Sequence, residues 1–204
     1  MQIHNQSTPN IESSHWNAFK GGNSVSFQYL YKAYSPALYN YGTKFSKDKD
    51  LIKECIQDLF VALWIRRTSI GNPEHIKNYL YKSFRNTVFK KIQQLDKTER
   101  YEETENYNFE VSITVEDQMI DGEQQEQISK KLSKAMDKLT PRQREAIFLK
   151  FHEQLSYDEI AGVMGITTKA SYKLMSRSLD FLRSNLSKEE LLLFYAMLHL
   201  KFIS

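Results

Sequence analysis

At 204 residues and 24.0 kDa, with 41% hydrophobic and 26% charged residues, the chain can bury a core and lies outside the disordered and fibrous classes. Its single cysteine, Cys55, excludes a disulfide framework, and with five scattered histidines it leaves no cysteine-rich zinc site. Net charge is a modest +3, but its distribution is uneven: residues 96–126 hold eleven acidic and two basic residues, against +7 in 1–95 and +5 in 127–204. Two basic blocks around an acidic one point to contact with a polyanion. The N-terminal MQIHNQSTPN has neither a basic flank nor an apolar stretch, so no secretory signal is expected and the chain reads as cytoplasmic. No GxxxxGK[ST] loop or catalytic constellation stands out, so no enzyme activity, cofactor, metal or small-molecule substrate is expected.

Seven glycines, four prolines and few alternating apolar runs predict an all-α chain. The first helix pair is expected over Trp16–Phe19 and Phe27–Phe45, parted by Gly21-Gly22-Asn23. Ser35-Pro36 either kinks the second of these or is tolerated within a packed turn. A helix follows over Asp50–Arg67, with Asp48 as its candidate N-cap, since Ile52, Cys55, Ile56, Leu59 and Leu63 recur on one face. Cys55 in that stripe reads as a buried small hydrophobe. After Gly71-Asn72-Pro73, a third helix over Pro73–Leu95 puts Leu80, Phe84, Val88 and Ile92 on its buried side.

Residues 96–115 are acidic and lack helical period, so they read as a linker. Within them Tyr107, Phe109, Val111, Ile113 and Val115 alternate with polar residues, the pattern of a short extended segment docked in a groove. Helical pattern resumes with Ile128, Leu132, Ala135, Met136 and Leu139 on one face. Thr140-Pro141-Arg142-Gln143 supplies an N-cap, a proline at N1 and a capping-box glutamine; Ser156-Tyr157-Asp158-Glu159 repeats the capping logic. Residues 140–183 then form a short helix and a helix-turn-helix, a unit whose second helix enters the DNA major groove. Ala161 permits close helix approach and Gly165 permits the turn, with Ile160, Met164 and Ile166 around it. Leu174, Met175, Leu179 and Leu182 are expected to be buried. Thr168, Lys169, Tyr172, Lys173, Ser176 and Arg177 stand opposite, a mixture of phosphate binders and base-edge donors. A capped helical hairpin with a solvated basic face is the plainer alternative.

This segment, LTPRQREAIFLKF followed by LSYDEIAGVMGIT, closely resembles region 4 of sigma factors, the promoter-reading subunits of bacterial RNA polymerase. The N-terminal half resembles region 2 of the same family in FQYLYKAYSPALYNY, the IQDLFVALW run and IKNYLYKSFRNTVFKKI. Two regions joined by a short linker are similar to the extracytoplasmic-function (ECF) group of the sigma-70 superfamily. The resemblance spans roughly residues 16–95 and 125–186. Ser171 departs from it where the family usually has an aliphatic residue, and Leu174 where many members have Arg.

The resemblance implies two small helical domains: region 2 over 1–95, an acidic linker over 96–115, region 4 over 116–188, and an apolar tail over 189–204. It implies binding of RNA polymerase core through the clamp helices of the largest subunit. Asp50, Gln57, Asp58, Phe60 and Trp64 are the expected contacts, since exposed aromatics mixed with carboxylates and amides suit helix docking; Phe60 could instead widen the core. On the next helix, Tyr79, Lys82, Arg85, Asn86, Lys90 and Lys91 can bind phosphates, base edges or an unpaired base. The resemblance gives them the −10 element and gives base capture to the loop Thr68–His75. Region 4 would read the −35 element through the face running from Thr168 to Arg177. An anti-sigma factor is an implied regulator, and a stand-alone helix-turn-helix regulator is the second functional reading. The linker is either a nucleic-acid mimic in the polymerase or a solvated tether. The tail Leu191–Ile203 is too short for a bilayer span and packs on its own domain, on region 2 or on a partner.

Overall fold

The computed structural model describes residues 8–96, 107–111 and 122–200, and these are helical or irregular, with no strand among them. They belong to two compact units, Met1–Arg100 and Tyr101–Ser204.

The first unit packs α1 (Thr8–Lys20), α2 (Ser24–Gly42), α3 (Lys49–Arg66) and α4 (Ile76–Asp96). Local chemistry sets the starts: the Asn23 side chain accepts from the Ser26 amide, and Asp48 accepts from the amides of Asp50 and Leu51 at 3.0 Å. Asp48 is therefore the N-cap its position suggests. α2 continues through Pro36 and stops at Gly42, so Phe45 lies in the following turn, where it is still buried. A Cβ on Gly42 would stand 2.6 Å from Ile52 Cγ2 and 2.9 Å from Phe84 Cζ, so only glycine lets α2 approach α3 and α4 this closely. Around that point Leu38, Tyr41, Ile52, Cys55, Leu80, Tyr81, Phe84 and Val88 are fully buried. Cys55 is core, and burial pushes its thiol up to about 11. The loop before α4 is tied to α1: Trp16 Nε1 donates to the Gly71 carbonyl at 3.3 Å, and Lys20 Nζ to Asn72 Oδ1 at 2.8 Å.

The second unit contains α5 (Gly122–Asp137), α6 (Pro141–Ile147), α7 (Tyr157–Met164), α8 (Thr168–Asn185) and α9 (Lys188–Leu200). Both expected capping boxes are present, Thr140 with Gln143 and Ser156 with Glu159. α6 passes directly into a π turn over Phe148–His152, which nothing in the sequence signals.

Residues 107–111 carry no regular structure and belong to this unit, so the second unit reaches back well beyond residue 116. The alternation is that of a docked strand-like segment: Tyr107 and Phe109 are buried, Asn108 and Glu110 exposed. The Tyr107 hydroxyl donates to the buried Glu145 carboxylate, and Phe109 meets Phe148 edge-on at 5.8 Å. Val115 and Ile113 lie outside the described residues. The described part of the tail, α9, packs on α5, the π turn and α8 within the same unit. Its Ser187–Glu190 cap is reciprocal, Lys131 bridges Glu190 at 2.9 Å, and Phe194 is buried. The amide of Ser187 and the Lys131 ammonium hold the Glu190 carboxyl below its ordinary range.

Candidate nucleic-acid and protein interfaces

The turn between α7 and α8 is built as its residue types require. Gly165 caps α7 in the left-handed region at φ 65°, and the Ile166 amide bonds the carbonyl of buried Ala161. Thr167 caps α8 by accepting from the Ala170 amide. The buried stripe of α8 is Ser171, Met175, Ser178 and Leu182; Leu174 and Leu179, expected in it, are only half-buried. Two serines enter an apolar seam because their hydroxyls are satisfied: Ser178 donates to the Leu174 carbonyl, and Ser171 bonds the carbonyls of Tyr157 and Thr168. The departure from an aliphatic residue at 171 is thus accommodated by a hydrogen bond across the turn.

Opposite that stripe Lys169, Tyr172, Lys173, Ser176 and Arg177 are exposed. Thr168 is half-buried and donates to Asp158 at 2.7 Å, which turns it toward α7. Ser176 bonds Asp180 at 3.2 Å. Three cations within nine residues, on a helix whose other side is seated in the unit, make a face that can meet phosphate and base edges.

On α4 the expected face resolves into two groups. Lys82, Asn86 and Lys90 recur every fourth residue and are exposed. Arg85 is buried, its guanidinium 4.1 Å from the Phe89 ring centroid, so the expectation that it contacts DNA is corrected: stacking on Phe89 keeps it in the unit. Lys91 turns toward α3, with Nζ 2.6 Å from Glu54 and 4.0 Å from Asp58, and the Glu54 contact holds it above its ordinary pKa. Tyr79 is half-buried and edge-on to Trp16 at 5.7 Å.

Of the two aromatics expected on the docking face of α3, Phe60 takes the alternative of widening the core, and Trp64 keeps part of its surface exposed. Phe60 is buried against Phe27 and Tyr31, at 5.9 and 4.9 Å. Trp64 is half-buried beside Phe19 and Phe27, with Arg67 4.6 Å over its ring. Both close the core because α2 brings its own aromatics to that flank. Asp50, Gln57 and Asp58 are exposed as expected, and they are joined by Val61 and Ile65, 57% and 69% exposed. The spacing Gln57, Val61, Ile65 was the available signal, one stripe opposite Ile52, Cys55, Leu59 and Leu63. Two exposed branched aliphatics beside carboxylates are the make-up of a helix-docking surface.

Among the described residues no cluster of three His, Cys, Asp or Glu side chains could hold a metal ion, and no helix is long and apolar enough to cross a membrane.

Residues 120–182, which include the helix-turn-helix, match the family model of sigma-70, region 4. RNA polymerase sigma factor SigV of Bacillus subtilis (strain 168) is 28% identical over 153 residues, covering 75% of this chain and 86% of that protein. Among solved structures, CnrH in complex with the cytosolic domain of CnrY shares the fold with TM-score 0.57 and 18% identity, over 85% of this chain and 95% of that one. RpoE of Bartonella quintana, in complex with the anti-sigma factor NepR, gives 0.54 and 21%, over 78% and 94%. Residues 120–182 thus carry a sigma-70 region 4, and over three quarters of its length the chain is similar to an RNA polymerase sigma factor.

Proposed function

We propose that this chain binds RNA polymerase core in the cytoplasm through α3 and directs it to promoters, with α8 on the −35 element and α4 on the −10 element. The observation that carries the reading is the division of α8 into a seated side and a face bearing Lys169, Lys173 and Arg177, in a unit matching sigma-70 region 4. Asp50, Gln57 and Asp58 on α3, extended by Val61 and Ile65, supply the polymerase contact, with the clamp helices of the largest subunit as its target. Lys82, Asn86 and Lys90 supply phosphate and base-edge contacts on α4, with Tyr79 at its N-terminal end. The loop Thr68–His75, which is fixed to α1 through Gly71 and Asn72, would receive a base from the opened strand. Flipping a base costs a few kcal/mol, which a pocket must offset by stacking and hydrogen bonds. The protein performs no chemistry itself; strand opening is driven by binding energy spread over these contacts.

An anti-sigma factor is the proposed regulator, because RpoE of Bartonella quintana, a sigma factor of the same fold, was solved with the anti-sigma factor NepR bound. The apolar stripe of α3 offers the surface for which polymerase and an anti-sigma factor would compete.

Binding of promoter DNA with and without polymerase core tests the reading. A sigma factor gains sequence-specific binding when core is added. A stand-alone regulator binds its site equally well alone, and that result would refute the proposal.

A further inference from the structure

Tyr172 is an aromatic ring 54% exposed on α8, off its buried stripe, and it is held in place by α7. Its ring centroid lies 4.0 Å from that of Tyr157, at an interplanar angle of 32°. Tyr157 is itself half-buried, with the Lys150 ammonium 4.8 Å from its ring centroid, and Lys150 is fixed by donating to the Leu155 carbonyl at 3.1 Å. The first two residues of α7 grip α8 through polar contacts as well. The Tyr157 carbonyl takes the Ser171 hydroxyl at 2.9 Å, and the Asp158 carboxylate takes the Thr168 hydroxyl at 2.7 Å. An exposed tyrosine ordinarily samples several rotamers; this one is packed against the tilted Tyr157 ring on one side and open on another, so little ordering remains to be done on binding.

What such a ring can recognise follows from the edges the major groove displays. Hydrogen-bonding edges are read by cations, amides and hydroxyls, and Lys169, Lys173 and Arg177 are exposed on the same helix as Tyr172. The one apolar feature of the groove is the thymine 5-methyl group, and the residue types that select it are those offering apolar surface. Tyr172 lies in the first two turns of α8, the part of a recognition helix that contacts base edges.

We propose that Tyr172 selects a thymine in the upstream promoter element by packing its ring on the 5-methyl group, with Tyr157 as the positioning residue that holds the ring there. The inference rests on the reading of α8 as the −35 recognition helix and adds to it one base preference and the side chain that sets it. Ser171 and Asp158 act through Tyr157's end of α7, fixing the angle at which α8 presents the ring.

The test uses the full chain with polymerase core. Holoenzyme selects binders from duplexes randomised over the −35 element, and the selected sequence is resynthesised with deoxyuridine replacing each thymine in turn, which removes only the methyl group. One position should lose about fourfold in affinity, the worth of one buried methyl. Tyr172→Ala should lose sensitivity at that position alone, and Tyr172→Phe should keep it, since the hydroxyl plays no part. Tyr157→Ala should weaken the methyl effect while leaving the helical circular dichroism unchanged. Lys169→Ala and Arg177→Ala should lower affinity and keep the methyl effect. A selected element with no methyl-sensitive thymine, or full methyl discrimination in Tyr172→Ala, overturns the inference while leaving α8 as the DNA reader. Failure of the Lys169 and Arg177 substitutions to affect binding overturns it together with that reading.

Discussion

Replacing Phe109 by Ala separates an anchored segment from a free tether. Phe109 is fully buried and packs edge-on against Phe148 at 5.8 Å. Burying such a side chain contributes about 1.5–3 kcal/mol, and an aromatic pair adds about 0.5–1.5. Phe-to-Ala substitutions in cores cost about 3–5 kcal/mol. Because residues 107–111 carry no regular structure, the segment can relax into part of the space, so a loss of about 3 kcal/mol is expected, at the lower end of that range. With a urea dependence of about 1–3 kcal/mol per molar, the midpoint should fall by about 1–3 M. Both tryptophans, Trp16 and Trp64, lie in the first unit, so their fluorescence follows that unit while far-ultraviolet circular dichroism follows both. In Phe109→Ala the dichroism should gain an earlier transition and the tryptophan transition should stay where it is. Coincident curves for wild type and variant by dichroism would refute the packing argument.

Other substitutions probe the two faces and the core. Val61→Asp with Ile65→Asp should abolish capture by polymerase core and leave the melting temperature nearly unchanged, because both side chains are exposed; Phe60→Ala should destabilise the first unit by about 3–5 kcal/mol, read by tryptophan fluorescence. Removing Lys169, Lys173 or Arg177 should lower the slope of log affinity against log salt by about 1 for each phosphate no longer neutralised, measured by holoenzyme titration between low and moderate salt. For Cys55 the folded thiol is pushed up to about 11 by burial, above its unfolded value, so its neutral form stabilises the fold fully below the unfolded pKa. That contribution is lost as pH rises between about 9 and 11. The stability gap between wild type and Cys55→Ala should therefore narrow across that window and stay constant below it.

Much of the fold was legible because its signals are local. Asp48, the two capping boxes and Gly165 act within four residues of one another or on their own backbone, and the structure uses each as its chemistry suggests. What the sequence withheld depends on distant partners. An aromatic on the flank of an apolar stripe can face either way, and α2's Phe27 and Tyr31 decide the matter for Phe60. Lys91 has the look of a phosphate binder until α3 places Glu54 beside it, 37 residues away. Arg85 is withdrawn by Phe89, one turn along its own helix, a pairing that periodicity alone does not distinguish from an exposed cation. The docking of Tyr107 and Phe109 was visible as alternation, but its site, Glu145 and Phe148, lies across the unit. Ser171 could be read only as a departure until the Tyr157 carbonyl supplied its partner.

The central claim is that one chain couples polymerase to promoter opening. Core polymerase reconstituted with the full chain, on a promoter selected by that holoenzyme, should give transcripts from one start site and permanganate-reactive thymines around the −10 element. Core alone should give neither. Start-site-specific binding of the chain without core, with no transcript and no reactive thymines when core is added, would contradict the account.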